Sequence, residues 1–291
     1  MRRRARRRPD VEQGFTGRVA VVTGAGSGIG RALALQLAAA GARLALSDVD
    51  EAGLSQTCSA ARARGATVRS DPLDVTDRAG VFGYADSVAA ALGGVDVVVN
   101  NAGVLHVGMV LDSEITDLER VMDVNFWGVV HGSTAFLPHL IASGRGNLVN
   151  LSSLFGLVPV PTQSAYVAAK HAVHGFTESL RIELRLAGHP VAVTCVHPGG
   201  VDTPIARRAT RSPDAPRPSA RSVLRMPPDK AAATILRGVA RDRARVLVGR
   251  DAAAVHLLSR LSLSAWPRLV ALAYRKEAAV RDPDPGRPDS G

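Results

Sequence analysis

Cysteine is scarce in this sequence. Only two cysteines occur in 291 residues, and Cys58 and Cys195 lie far apart with no CxxC spacing. This argues against a disulfide scaffold and against a cysteine-ligated zinc site, and we expect no metal. It fits the reducing environment of the cytoplasm, where we expect the protein to reside.

Aromatic residues are also few, at 4%, although hydrophobic residues make up 46% of the chain. A core must then be built mainly from Ala, Val and Leu, which suits helices packed on a buried parallel sheet with aliphatic strands. No uninterrupted apolar run reaches about 18 residues, so no membrane-spanning helix is predicted.

Lysine is nearly absent, yet the formal net charge is +10. Such a charge raises nucleic acid or an anionic membrane as a partner. Six arginines fall within residues 1–10, and we interpret residues 1–16 as a disordered, solvated Arg-rich tail. No apolar segment follows it, which disfavours a twin-arginine export signal. We therefore expect no nucleic-acid partner.

Short aliphatic runs alternate with helical stretches between residues 17 and 250. The runs are 18–23, 43–48, 66–75, 95–102, 146–153, 191–198 and 245–249. This repetition predicts an α/β fold in one domain over residues 17–250, a doubly wound Rossmann-type parallel sheet of about seven strands with helices on both faces.

Two segments break the alternation. Residues 204–228, which we call the lid, hold six Arg and six Pro directly after the sixth strand, where such sheets bind ligands. The lid arginines either form a solvated loop, the favoured reading, or meet an anionic group such as a coenzyme A thioester. Residues 251–291 predict a helical extension with a polar tail. Its amphipathic part, 254–273, either packs on a subunit, which is favoured, or lies on a membrane surface.

A glycine-rich turn, TGAGSGIG, joins the first strand to a helix. Gly24, Gly28 and Gly30 allow a tight turn whose N–H groups approach a pyrophosphate at the helix N-terminus. Asp48 ends the second strand, where a carboxylate accepts hydrogen bonds from the adenosine ribose and repels a 2′-phosphate, so NAD is predicted over NADP. Asp48 could instead cap the next helix. Asp74 either meets the adenine edge or is a turn residue.

Tyr166 and Lys170 stand four residues apart, one turn along a predicted helix. A free phenol has a pKa of about 10, and a nearby ammonium together with a positive nicotinamide would lower it. Tyr166 could then exchange a proton with a substrate hydroxyl. Ser153, at the end of the fifth strand, could orient and polarise the same oxygen.

The glycine-rich turn, the NNAG motif at 100–103, Asn125, Ser153, Tyr166, Lys170 and the PGGVDT motif at 198–203 stand in order. Together they resemble the classical short-chain dehydrogenase/reductase family over about residues 17–250. The resemblance implies that Asn125 shapes a helix and holds a water in a proton relay with Lys170. It also implies that Asn100 steadies the sheet, and that family members are commonly homodimers or homotetramers.

The predicted catalytic residues are Asn125, Ser153, Tyr166 and Lys170. The predicted cofactor-binding residues are Gly24, Ser27, Gly28, Ile29, Gly30, Asp48, Asp74, Val75, Asn101, Ala102, Gly103, Tyr166, Lys170, Pro198, Gly199, Val201 and Thr203. The candidate substrate residues are Leu105, His106, Leu154 and Phe155, with His106 taken as part of the pocket wall and not as a base.

These residues predict a NAD-dependent oxidoreductase that interconverts a secondary alcohol and a ketone, on a hydrophobic skeleton. The alternative is a non-catalytic dinucleotide-binding sensor or scaffold on the same fold, which usually lacks the tyrosine or lysine retained here. Epimerase or dehydratase chemistry on nucleotide sugars is disfavoured by the glycine spacing and by the lack of a separate substrate domain.

Overall fold

The computed structural model describes residues 14–213, 215, 226–249, 251–253, 255 and 270–272. The predictions for the Arg-rich tail up to residue 13, for much of the lid and for most of 251–291 therefore lie outside the described residues.

The described strands are β1 Val19–Thr23, β2 Arg43–Asp48, β3 Val68–Pro72, β4 Val97–Asn100, β5 His106–Val107, β6 Gly146–Leu151, β7 Val191–Pro198, β8 Thr210–Arg211 and β9 Arg245–Val248. Seven of them form one sheet in the order β3-β2-β1-β4-β6-β7-β9, and every neighbouring pair is parallel. The predicted doubly wound sheet is confirmed. The two remaining strands, β5 and β8, pair with each other in a separate small sheet that was not predicted.

The helices are α1 Gly28–Ala39, α2 Glu51–Arg62, α3 Arg78–Leu92, α4 Ile115–Met122, α5 Gly128–Ala142, α6 Ser164–Leu186 and α7 Pro228–Val239. A π-helical turn, Asp123–Trp127, joins α4 to α5. Helices α2 and α3 begin where Asp50 and Asp77 accept hydrogen bonds from the N–H groups of Gly53 and Gly80, which satisfies donors that a helix N-terminus leaves unpaired.

The core lies in two layers, one on each face of the sheet. Along β1, Val19 and Val21 belong to one layer and Ala20 and Val22 to the other, because successive side chains of a strand point to opposite faces. Fully buried helical side chains complete the layers: Val88, Phe136 and Leu140 with Val19, and Leu33, Leu37, Ile235 and Leu236 with Ala20.

Phe136 is fully buried in its layer and meets Tyr84 edge to face, with ring centroids 5.9 Å apart. We expect Phe136→Ala to lower the free energy of unfolding by about 3–5 kcal/mol, because it removes apolar burial and leaves a cavity. Urea denaturation measures this. Phe82→Ala, on the neighbouring helix but 41% exposed, is the matched control, and an equal loss in both variants would contradict the assignment of this core.

The strand order reverses between β1 and β4, which are neighbours in the sheet although β2 and β3 lie between them in sequence. Open α/β sheets bind ligands outside the carboxyl ends of their strands at such a point. The glycine-rich turn follows β1 and the NNAG motif ends β4, so both motifs meet at this edge.

Candidate active site

A cavity of about 460 Å³ lies at the carboxyl edge of the sheet. It is lined by residues that follow β1, β2, β4, β6 and β7, together with Tyr166 and Lys170 of α6. Its lining includes every predicted cofactor-binding residue except Gly30, as well as Ser153 and Leu105. The structure thus brings nearly all of these residues together around one space.

The glycine-rich turn is packed too closely for side chains. A Cβ on Gly24, whose φ is +64°, would lie 2.8 Å from Ala102 Cα, and one on Gly30 would lie 2.1 Å from the Gly24 carbonyl oxygen. Asn101 braces the same turn, donating from Nδ2 to the carbonyls of Thr23 and Gly24 at 2.9 and 3.0 Å. Gly30 and the Asn101 side-chain amide therefore fix the backbone conformation of the turn.

Helix α1 begins in this turn. Its N-cap residue Ser27 makes no side-chain capping bond, so that hydroxyl does not occupy the first N–H groups of the helix. Unpaired N–H groups and the helix dipole at an N-terminus favour an anion. The turn therefore fits the pyrophosphate of a dinucleotide.

The carboxylate of Asp48 lies against the glycine-rich turn. Its Oδ2 accepts a hydrogen bond from the Gly26 N–H at 2.7 Å, and its Oδ1 accepts one from the Asp50 N–H at 2.9 Å. The cap of α2 is Asp50 and not Asp48, so the capping alternative considered for Asp48 is not what the structure contains. Asp48 lines the cavity, as recognition of a ribose requires.

Asp74 lies in the turn after β3 and faces the cavity. It lines the cavity, and its Oδ1 also accepts bonds from the N–H and hydroxyl of Thr76 at 2.9 and 2.8 Å. These local bonds hold the turn after β3. The next residue, Val75, also lines the cavity and packs against Gly128, where a Cβ would lie 2.6 Å from Val75 Cγ2.

Ser153, Tyr166 and Lys170 converge at one end of the cavity. The Ser153 hydroxyl lies close enough to the Tyr166 phenol to favour its charged form. Lys170 is buried, its Nζ donates to the Leu151 carbonyl at 3.0 Å and lies 5.6 Å from the centre of the Tyr166 ring. Helix α6 places the tyrosine and lysine one turn apart, and β6 ends beside them.

The pKa values at this end differ from the sequence-based expectation. Burial raises the pKa of Tyr166, and the hydrogen bond with Ser153 offsets this in part. Burial also lowers the pKa of Lys170 to about 8. The expectation that Lys170 lowers the tyrosine pKa is therefore not met by the protein alone, because loss of hydration penalises the phenolate.

Lys170 makes the stability of the fold depend on pH. Its folded pKa of about 8 lies below the ordinary 10.5, so burying the charged form destabilises the folded protein. This penalty is complete below the folded pKa and is lost as the pH rises from the folded to the ordinary pKa. Lys170→Met lacks the penalty at every pH. We expect its stability advantage over the parent to shrink by about 2–3 kcal/mol between pH 7 and pH 10. Urea denaturation of both proteins measures it, and parallel curves would contradict it.

Asn125 lies in the π-helical turn and is fully buried. Its Oδ1 accepts from the Val104 N–H at 3.2 Å, and its Nδ2 donates to the carbonyls of Val104 and Val121 at 2.8 and 3.0 Å. These bonds tie the irregular turn to the segment after β4. Asn125 stands behind Gly103 and is not among the residues that line the cavity.

Of the candidate substrate residues, only Leu105 is brought to the cavity lining. Leu154 and Phe155 pack instead in a small apolar cluster with Val158 and Ala252. His106 is buried and bonded to neighbouring hydroxyl groups. Position after a motif predicted proximity to the cavity, but the direction of each side chain depends on packing that the sequence does not reveal.

Ile205, Arg208 and Thr210 line the cavity and belong to the segment predicted as a lid. Several other lining residues were missed by sequence reasoning: Val104, Asp117, Arg120, Val121 and Val124. Val104 carried a signal in its position directly after NNAG. Helix α4 has no motif of its own, and its place over the cavity is a tertiary feature.

The PGGVDT loop and the lid are held by specific contacts. The Gly200 N–H donates to Asp251 Oδ2 at 2.7 Å, and Pro198, Gly199, Val201 and Thr203 line the cavity. The lid arginines in the described range have partners within the chain: Arg207 with Asp202, Arg208 with Asp50, and Arg211 with the Ala206 carbonyl. Such exposed pairs contribute little to stability.

The described residues hold no group of three His, Cys, Asp or Glu side chains placed to bind a metal ion. None of the helices in the described ranges is both long and apolar enough to cross a membrane.

The family model for the short chain dehydrogenase matches residues 18–214. The chain belongs to the short-chain dehydrogenase family. This short-chain dehydrogenase is 55% identical over 267 residues to SadH of Mycobacterium tuberculosis, described only in general terms as an oxidoreductase, with 90% of this chain and 97% of SadH covered. It is 41% identical over 236 residues to a 1-deoxy-11-beta-hydroxypentalenate dehydrogenase of Streptomyces avermitilis, with 80% and 85% covered.

Among solved structures, this short-chain dehydrogenase is similar to a short-chain dehydrogenase/reductase from Burkholderia phymatum, determined in complex with NAD. The sequence identity is 32% and the TM-score 0.73, and the match covers 96% of this chain and 99% of the other. The family membership predicted from the sequence motifs is therefore confirmed.

Proposed function

We propose that this protein is a NAD-dependent oxidoreductase that interconverts a secondary alcohol and a ketone. The observation that carries the proposal is the convergence of Ser153, Tyr166 and Lys170 in a cavity that also contains the glycine-rich turn and Asp48. A site for proton transfer and a site for a dinucleotide thus share one space, as hydride transfer to a bound cofactor requires.

NAD fits the residues present. The turn of Gly24 and Gly28 with the N-terminus of α1 would hold the pyrophosphate, and Asp48 would accept bonds from the ribose hydroxyls. The likeness to a structure in complex with NAD supports this choice. The cofactor would supply the acceptor for the hydride that leaves the alcohol carbon.

The proton chemistry falls to the protein. Tyr166, as the phenolate, would take the hydroxyl proton of the alcohol while the carbon loses hydride, and would return the proton in ketone reduction. Ser153 would hold the same oxygen. The pKa of Tyr166, raised by burial, must fall for oxidation, and a positive nicotinamide ring beside Lys170 would provide the required field. Family resemblance assigns Asn125 to the relay that returns protons to solvent.

The substrate side favours an apolar carbon skeleton. Leu105, Val104, Val121 and Ile205 line the cavity, together with the charged Asp117, Arg120 and Arg208. Apolar walls that carry a small number of polar groups suit a hydrophobic ligand with a polar substituent. A relative named as the dehydrogenase of a hydroxypentalenate supports a hydroxyl substituent as the reacting group.

We also propose a cytoplasmic homodimer or homotetramer. Trp127, Ile182 and Leu186 are 48%, 54% and 83% exposed, and they lie in the π-helical turn and on α6, the elements that contain Asn125 and Tyr166. Exposed apolar side chains on neighbouring elements favour burial against another subunit. Both cysteines are free and buried, which suits a reducing compartment.

A substrate panel tests the proposed function. Purified protein is incubated with hydrophobic secondary alcohols and NAD, and with the corresponding ketones and NADH, while the NADH absorbance band is followed. We expect at least one alcohol–ketone pair to turn over in both directions, faster with NAD than with NADP. Tight NAD binding with no turnover of any member would favour the non-catalytic alternative.

A further inference from the structure

The small sheet of β5 and β8 joins two walls of the cavity. The Thr210 N–H donates to the Leu105 carbonyl, and the Ser212 N–H donates to the Val107 carbonyl, each at 3.1 Å. Leu105 and Thr210 both line the cavity. One wall comes from the segment after β4 and the other from the lid, so this pairing fixes the position of lid residues 210–212 relative to the segment after β4.

His106 lies at the centre of this junction and is only 4% exposed. Its Nδ1 lies 2.9 Å from Thr210 Oγ1, and its Nε2 lies 3.0 Å from Ser113 Oγ and 3.4 Å from Ser212 Oγ. Asp117 Oδ2 is 3.6 Å from Nδ1. Both ring nitrogens therefore have partners on different segments of the chain.

The two ring nitrogens hold hydroxyl groups of two different segments. Nδ1 bonds the Thr210 hydroxyl of the lid, and Nε2 bonds the Ser113 hydroxyl, which also bonds the Met109 carbonyl at 2.7 Å. A hydroxyl can serve a ring nitrogen as donor or as acceptor, so the imidazole joins the two segments, which an apolar side chain of the same shape cannot do.

The junction leaves no spare room. A Cβ added to Gly108 would lie 2.0 Å from Ser212 Oγ and 2.6 Å from Ser113 Oγ. The close packing here is made by hydroxyl groups and one imidazole, whose hydrogen bonds depend on angle as well as on distance.

We propose that His106 is a positioning residue for the substrate, acting through Thr210 and Leu105 to hold the lid wall of the cavity in place. It is not a second base, since its ring is not among the cavity-lining residues and both nitrogens are engaged. The substrate part of this inference rests on the proposed function; the part that concerns the lid wall does not.

Two variants separate the contacts. His106→Phe removes all three hydrogen bonds of the ring, and Thr210→Val removes one of them at a position that is only partly buried. We expect each to raise KM for the substrate, by about tenfold for His106→Phe, with kcat within about twofold and the Kd of NAD unchanged. The double variant should be no worse than His106→Phe, because contacting residues are not additive.

A conservative variant and a control test whether the polar contacts of His106 cause the effect. His106→Asn keeps a polar side chain near the place of Nδ1 and should recover part of the loss, whereas His139→Phe, at a residue that does not line the cavity, should leave KM unaltered. If His106→Phe fails to fold, Thr210→Val alone carries the test. An unchanged KM in Thr210→Val, or a loss in kcat of about 100-fold in a folded His106 variant, overturns the proposal.

Amide hydrogen exchange tests the lid wall without any substrate. We expect the backbone amides of residues 210 and 212 to exchange about tenfold faster in Thr210→Val and in folded His106→Phe than in the parent protein. Faster exchange in a protein that turns over no alcohol would sink the proposed function but leave the role of His106 in holding the wall. Unchanged exchange in Thr210→Val overturns that role.

Discussion

Tyr166→Phe is expected to lower kcat by about 10²–10⁴-fold, the range that general acid–base catalysis contributes. The ring and its packing on α6 are kept, and only the hydroxyl beside Ser153 is lost. The Kd of NAD should stay nearly unchanged, because the turn and Asp48 that would hold the cofactor are untouched. Steady-state kinetics and a cofactor titration measure the two effects separately.

Tyr84→Phe is the matched control. Tyr84 is buried beside Phe136 and does not line the cavity, so loss of its hydroxyl should leave kcat unchanged. Substantial activity in Tyr166→Phe, or an equal loss in both variants, would mean that the Tyr166 hydroxyl does not carry the proton.

Asp48→Ala is expected to reverse the cofactor preference. Asp48→Ala removes a charged acceptor for the ribose hydroxyls. A hydrogen bond to a charged group contributes about 1.5–3 kcal/mol, so kcat/KM for NAD should fall by about 10–100-fold. NADP should improve, because the carboxylate that repels a 2′-phosphate is gone. The measurement is kcat/KM for both cofactors with one alcohol substrate.

Asp74→Ala serves as the control for this change. Asp74 also lines the cavity but lies after β3, where its carboxylate bonds Thr76. Asp74→Ala should change kcat/KM for NAD and for NADP by similar factors and leave the ratio of the two values unchanged. A parent enzyme that already prefers NADP, or a ratio unmoved by Asp48→Ala, would contradict the ribose role of Asp48.

The fold was predictable because its signals are local. A buried parallel strand needs aliphatic residues on both faces, so the runs in β1, β4 and β6 are visible in sequence without any partner. Strand and helix alternation then restricts the topology, since parallel connections are right-handed. The pairing of β5 with β8 was missed because each strand spans only two residues, too few to show a pattern.

The candidate site was predictable where a motif fixes both a residue and its backbone. The glycine-rich turn, NNAG and the Tyr166–Lys170 pair all reach one cavity. Side chains that follow a motif are less determined: Leu105 lines the cavity, whereas His106 turns to Thr210 and Leu154 joins a separate cluster. Their directions depend on contacts with segments about a hundred residues away, which one sequence does not pair.

The pKa of Tyr166 marks a second limit. Spacing on a helix showed that Lys170 is near, but not that burial would raise the tyrosine pKa and lower that of the lysine to about 8. Desolvation depends on the whole surrounding structure. A tyrosine with a raised pKa keeps its proton at neutral pH and so holds one for the developing alkoxide in ketone reduction, whereas oxidation would need the positive charge of the oxidised cofactor to favour the phenolate.

Transfer of a labelled hydride tests the central claim most directly. A secondary alcohol found to turn over is prepared with deuterium on its carbinol carbon, and the reduced cofactor formed with NAD is examined by mass spectrometry. Direct transfer predicts one deuterium in each NADH molecule, with the hydroxyl proton released to solvent. NADH without deuterium, or label found in the water, would contradict the account.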